Sequence, residues 1–490
     1  MKGDFTRNTF DSKKHYSRVL LQQGRVAIDA DWNEQASILL HHLRTLTEDL
    51  LGRHAGPAMD GGFDIRKPDA TSSGNDFPIT RGHYYVEGIL IENEHGAPPQ
   101  PPATPPPNGT EPFTTYQRQP DWWPKALDQD GNYFVYADVW ERLITSVEDP
   151  TIREKALGGP DTAARAKVVW QVKARKLRPA TGTSGETPDD ALKALRTRSR
   201  GRMRAFVQET AVATDPCVIP PTSQYRGENQ LWRIEVHRGG PIEQATFKVS
   251  LDNGSVIFPV VGLPHAPVKR KADEAAKQFS VRVAHLGRDE RTTLVEDDWV
   301  ELVDDRYALQ SPQDGEWHPD ALLRVVKVDA EEMTVTLEGE STVCTRAQKE
   351  QTNVLLRRWD HRGTEIEVVK DDFATGTFKM SEAEFHLADG IHIAFEKATG
   401  TTQHDYRPGD YWLIPAREAA GETAANIEWP EEGFVPPRGI AHHYAPLAEL
   451  TLSAGKISDV KSLRTTFALP TTTPPTTPGT ETDPAVDEEL

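Results

Sequence analysis

Long helical periods are few in this chain, and that scarcity constrains its fold more than any other feature. Proline (37 residues) and glycine (35 residues) cut the 490 positions into short runs, a pattern that favours a mostly β protein with many turns. The clear helical stretch lies near the start. Val19 to Leu21 and Val26 to Ile28 read as two short apolar strands or turns broken at Gly24. A helix is then predicted from about Trp32, with Asp31 as N-cap and Glu34 three residues later closing a capping box. Trp32, Ala36, Leu40, Leu43, Leu46 and Leu50 recur at helical spacing, and Gly52 ends the run. An amphipathic element of this kind is expected to dock, either on the protein's own body or on a partner subunit. The opening Met1-Lys2-Gly3-Asp4-Phe5-Thr6-Arg7 has no apolar core, so it does not read as a secretion signal.

Downstream, strand signals recur. Gly82 to Glu92 reads as two strands about a turn at Glu87-Gly88, and Tyr133 to Arg142 as an aromatic-rich strand. Val168, Trp170, Val172 and Ala174 alternate with charged and polar neighbours in its partner, joined to it by a compact charged crossover. In Asn229 to His237, Trp232, Ile234 and Val236 share an apolar face while Arg233, Glu235 and His237 take the other. Ala245 to Ser250 follows, and Asp252-Asn253-Gly254-Ser255 supplies a hairpin-type turn into Val256-Ile257-Phe258, which predicts a three-stranded meander. From Val281 to Leu337 the spacing suits a small SH3-like barrel, and Asp389 to Arg417 forms a last β region closed by Pro436 to Leu447. The proline-rich run 96–112 is expected to be an exposed loop, 179–188 a mobile linker, and the Thr/Pro/acidic end beyond Pro470 disordered.

The predicted fold class is mainly β and multidomain, with antiparallel sandwich or barrel modules and one N-terminal amphipathic helix. Its predicted divisions are a docking segment and helix (1–56), a β domain (57–265), a small barrel (266–345), a C-terminal β region (346–469) and a tail (470–490). The length suits roughly three ordinary domains.

A net charge of −19 argues against nucleic acid as the main ligand. The one strongly basic stretch, Lys193 to Arg204, lacks interleaved aromatics and reads better as a solvated face or a set of ion-pair partners. No apolar run approaches a bilayer span. The two cysteines, Cys217 and Cys344, read as reduced core thiols.

The search for chemistry returns no catalytic constellation, no cofactor loop and no metal site. Ala454-Gly455-Lys456-Ile457 fails the phosphate-loop pattern at its last position, and Gly182-Thr183-Ser184-Gly185 is linker. Asp29-Ala30-Asp31-Trp32-Asn33 starts like a calcium loop, but Glu34 stands where glycine is needed and Leu40 where glutamate is. His442-His443, with His404 or Asp405 as a third ligand, is the best metal candidate, set against plain packing beside Tyr444. Trp122, Trp123, Trp140, Trp170, Trp232, Trp299, Trp359 and Trp412 could build a sugar-stacking surface, although strand patterns make core packing the default for most.

Several stretches carry a resemblance. Met1 to Arg7, Gln22-Gln23-Gly24-Arg25-Val26, Asp29 to Gln35, Val139 to Arg142, Glu148-Asp149-Pro150, Ala156 to Thr162, Val169 to Val172, Tyr225-Arg226-Gly227, Asn229-Gln230, Asp252 to Val256 and Pro436 to Leu447 resemble a bacterial family of unknown function. That family is often encoded with phage-tail-like contractile injection systems, and some of these segments are similar to phage tail-fibre proteins. The likeness covers most of the chain to about Leu447. It implies a structural component near a baseplate or fibre, assembled in the cytoplasm with other particle subunits, and it implies no reaction. Phe5, Tyr16, Gln22, Gln23, Arg25 and Trp32 are the candidate interface anchors, because aromatics and arginine dominate interface energetics. The competing expectation is a carbohydrate-binding or carbohydrate-active surface protein.

Overall fold

The structure is a computed structural model that describes residues 1–59, 61–68, 75–95, 114–179, 185–197, 201–207, 229–263, 278–310, 319–347, 353–361, 376–387, 390–397, 406–417, 427–430 and 433–468. The proline-rich run 96–112, residues 180–184 of the linker, Arg198, Arg200, Cys217, Tyr225-Arg226-Gly227, His404, Asp405 and the tail beyond Pro470 lie outside these residues. The fold is mainly β, as expected, and five sheets carry it.

The first unit opens with helix α1 (Asp29–Leu51) and strands β1 (His54–Pro57), β2 (Gly82–Val86), β3 (Ile89–Asn93), β4 (Gly131–Ile144) and β5 (Arg165–Lys176). β2 and β3 are the expected hairpin. Its turn residues Glu87 and Gly88 have φ of 46° and 75°, the left-handed pair that a tight two-residue turn requires. β4 and β5 pair antiparallel from Tyr133 opposite Lys176 to Ile144 opposite Arg165. Period-two alternation sends Tyr133, Val135, Ala137 and Val139 into one core with Trp170 and Val172. Phe134 and Tyr136, on the opposite face, pack under helix α2 (Pro188–Leu195), whose start is fixed by a Thr187–Asp190 capping box.

The chain then enters a second unit through β6 (Arg202–Val207), β7 (Gln230–Val236) and β8 (Thr246–Ser250). Next come β9 (Ile257–Gly262), β10 (Gln278–Val283), β11 (Trp299–Asp304), β12 (Leu323–Asp329), β13 (Thr334–Glu338) and β14 (Val354–Trp359). These six close a barrel in the order β10-β13-β12-β11-β14-β9. The second unit resumes with β15 (Phe378–Lys379), β16 (Glu384–His386), β17 (Ile391–Glu396) and β18 (Tyr411–Ala416), and the first with β19 (His443–Ser453), β20 (Lys456–Ser462) and β21 (Thr466–Phe467). The sheets β15-β8-β7-β18 and β16-β17-β6 share one core, and β21-β1-β2-β3 and β20-β19-β4-β5 share another. The units are nested: the barrel is inserted in the second unit, and the second in the first.

Nesting displaces several expected boundaries. The barrel spans 257–359 rather than 266–345, because β9 and β14 pair with each other, Phe258 opposite Leu356, and close it. The region expected at 346–469 is divided between two cores, since β18 pairs with β7 while β19 pairs with β4. Asn253 and Gly254 do form a left-handed turn, with φ of 49° and 64°. That turn carries the chain from β8 into the barrel instead of closing a meander. The polar face of β7 is also buried, with Arg233, Glu235 and His237 nearly inaccessible, because the units meet there.

At the start of the chain the helix begins at Asp29, three residues earlier than expected. Its N-cap is Ile28, which makes no side-chain cap bond, and Asp31 lies inside the first turn. The acidic side chains near this end are used elsewhere: Asp29 accepts from Thr6, and Glu34 from Thr9. Gly52 ends the helix as expected, with φ of 78°. Residues 19–21 and 26–28 form no strand.

Candidate docking site

Residues 1–5 are built into the place where the units meet. Gly3 is buried, and its carbonyl accepts from Asn253 Nδ2 at 2.9 Å; the Met1 carbonyl accepts from the same amide at 3.2 Å. Lys2 Nζ lies 2.7 Å from Glu235 Oε1 and sits 5.4 Å from the centre of the Trp359 ring. Glu235 also binds Arg233 at 2.6 Å and Lys248 at 3.3 Å, and Lys248 reaches across to Glu301 of the barrel at 2.9 Å. The Tyr307 hydroxyl and the Trp359 indole N–H both donate to Glu301. Ion pairs cost desolvation energy, so a buried cluster holds only when its remaining polar atoms are bonded too. Burial opposes the charge on Glu235, but Lys2, Arg233 and Lys248 outweigh it and hold the carboxyl well below the usual range. For Glu301 burial is again outweighed, by Lys248 and Lys2, and the carboxyl is held down to about 2. Lys2 itself is pushed down to about 8 by burial, against the pull of Glu235.

From this anchor the chain runs out along α1. Thr6 bonds Asp29, Thr9 donates to Glu34 at 2.6 Å, Phe10 packs 5.7 Å from the His41 ring, and the Val19 amide donates to Gln35 Oε1 at 2.8 Å. The helix is tied to the first unit by Arg44, which binds Glu141 at 2.8 Å, and by its buried Ala30 and Ile38. A Cβ on Gly88 would lie 2.4 Å from the Arg44 carbonyl oxygen, so the hairpin turn approaches the helix backbone closely.

What this clamped element shows to solvent is apolar. Among the described residues, eleven of the nineteen exposed large hydrophobic ones lie between Tyr16 and Leu50, including Val26 (86% exposed), Trp32 (75%) and Leu50 (74%). An ordinary surface helix turns such a stripe toward a core; this one turns it outward. Among the sequence candidates, Tyr16, Gln22, Gln23, Arg25 and Trp32 are exposed on the arm and helix. Phe5 instead packs half-buried against Leu231, Tyr411 and Leu413 of its own body. Leu39, absent from the predicted stripe, is as exposed as Leu43; a strict reading of the four-three spacing would have included it.

The other candidates are placed as follows. His442 and His443, where the chain enters β19, turn to different carboxylates, Asp138 at 2.6 Å and Glu87 at 2.7 Å. Burial disfavours the charge of Asp138, but His442 and Lys173 hold its carboxyl down to about 2. Arg196, Arg202 and Arg204 of the basic stretch pair with Glu87, Glu396 and Glu384. Trp140, Trp170, Trp232, Trp299, Trp359 and Trp412 are buried. Cys344 is a half-buried free thiol. Among the described residues there is no group of three or more His, Cys, Asp or Glu suited to a metal ion, and no helix long and apolar enough to cross a membrane.

A family model described as "Family of unknown function (DUF6519)" matches residues 1–199 and 185–455. No curated protein and no solved structure matches the chain.

Proposed function

The chain belongs to this family of unknown function, and from that premise we propose that it is a structural assembly component of a phage-tail-like contractile injection particle. It sits near the baseplate or a fibre, is assembled in the cytoplasm, and docks to other subunits through residues 1–56. It carries out no reaction in this reading. One observation carries the proposal: an apolar outer face on α1 and its arm, held in fixed position by a frame of nested β units. A preorganised apolar face gains affinity because little ordering entropy remains to be lost on binding. The particle context rests on the sequence resemblance.

Lys2 and Phe5 belong to the body's own packing, so truncating the segment would disturb the frame as well as the face. The cleaner test is Val26→Asp with Leu20→Asp, both exposed on the arm rather than on the helix, expressed in cells that make the particle. Mass spectrometry of purified particles is expected to find the wild-type chain and to lose the variant; equal incorporation of both overturns the docking role.

The carbohydrate reading has less support, because six of its eight candidate tryptophans are buried. Trp123, 44% exposed, stays accessible, and a glycan array comparing Trp123→Ala with wild type tests that reading directly.

A further inference from the structure

We propose that α1 forms a coiled coil with the α1 of a second copy of this chain. Along its outer face Trp32, Ala36, Leu39, Leu43, Leu46 and Leu50 follow one another at intervals of four, three, four, three and four residues. That is the heptad spacing of apolar residues that defines a coiled-coil seam. All six are exposed. In heptad lettering Ala36, Leu43 and Leu50 are a positions, and Trp32, Leu39 and Leu46 are d positions. The opposite faces are already occupied: Ile38 at c is buried, Arg44 at b pairs with Glu141, and Glu34 and His41 at f contact Thr9 and Phe10 of the arm. The body therefore holds the helix by one side and leaves the whole seam pointing away. At a rise of 1.5 Å per residue the 23-residue helix is about 35 Å long, enough for roughly three heptads.

The flanking positions indicate the occupant. Coiled coils that choose a different partner do so with charges at e and g. Here the e positions are Asn33, Leu40 and Thr47, and the g positions are Gln35, His42 and Asp49. Nothing in this set selects against an identical helix. In a parallel pair the g-to-e contacts between copies are Gln35 with Leu40 and His42 with Thr47, which bring no like charges together. Two copies of a chain with net charge −19 repel each other in general, and this nearly neutral stripe is where they can approach without that cost. Leu40 at e widens the apolar face, and the small Ala36 lies one layer from the bulky Trp32 and leaves room for the indole.

The inference concerns the purified chain alone, so it stands or falls separately from the particle reading. Light scattering on the eluting full-length protein, across a dilution series, is expected to give a mass of two or more chains. Leu39→Asp with Leu43→Asp should run as a single chain with unchanged circular dichroism. Leu157→Asp, 72% exposed elsewhere, should keep the wild-type mass. A milder Leu43→Gln should weaken association by roughly thirtyfold, the effect of losing one central contact, and it keeps the test open should the double variant fail to fold. A wild-type protein that is monomeric at every concentration overturns the proposal, and so do seam variants that retain the wild-type mass.

Discussion

Lys2 Nζ lies 2.7 Å from Glu235 Oε1, and through this pair the first residues of the chain meet an inner strand, β7, of a four-stranded sheet in the second unit. Glu235 is linked onward through Lys248 to Glu301 of the barrel, while Leu143 of the first unit lies against Gly3. All three nested units thus touch a segment of three residues, and the arm and helix that follow start from that point.

Replacing Lys2 by methionine keeps the stem and removes the charge. Glu235 retains Arg233 and Lys248, so the expected loss is that of one charged hydrogen bond, about 1.5–3 kcal/mol. Chemical denaturation followed by tryptophan fluorescence measures it, and an unchanged midpoint contradicts the anchoring role.

Acid should destabilise the protein well before carboxylates titrate. Burial pushes His237 and His361 each down to about 3, so both are neutral when folded and take up protons when unfolded near 6.5. Their folded pKa is depressed, so stability is full above about 6.5 and is lost as pH falls toward about 3. Glu301, held down to about 2, adds a further loss between about 4.5 and 2. Thermal melts from pH 7 to 4 should show a falling midpoint, and His237→Gln should flatten part of that slope; a flat wild-type profile contradicts the assignment.

Gly88→Ala should loosen the seating of α1. Its φ of 75° is costly for alanine, and the new Cβ would meet the Arg44 backbone. The expected cost is about 1–3 kcal/mol, with faster proteolysis within residues 29–51 than in wild type. Unchanged cleavage there would mean the helix is held by other contacts.

Val26→Ser and Leu20→Ser alter exposed side chains only, so they should change stability by no more than about 0.5 kcal/mol. Under the docking proposal the same pair lowers incorporation into particles. A loss of stability without a loss of incorporation would reverse the interpretation.

Local physics made the elements legible. Aromatic density marked β4, alternation marked β5 and β7, the Glu87-Gly88 turn marked its hairpin, and Gly52 marked the helix end, because each depends on side chains within a few residues. Asp31 failed as a cap although its local chemistry was sound, since the arm drew Asp29 and Glu34 into bonds with Thr6 and Thr9. The apolar stripe of α1 was equally visible, but periodicity reports that one face differs from another and carries no information on which face meets the body.

The sequence by itself determined a mainly β chain with one amphipathic helix near its start, because strand and helix periods are properties of neighbouring residues. Only the tertiary structure decided the nesting of the units, the burial of Arg233 and Glu235, and the outward turn of Leu39, Leu43 and Leu46. Those depend on pairings between strands hundreds of residues apart, such as β4 with β19, where the energy of a contact is set by a partner that no local window contains.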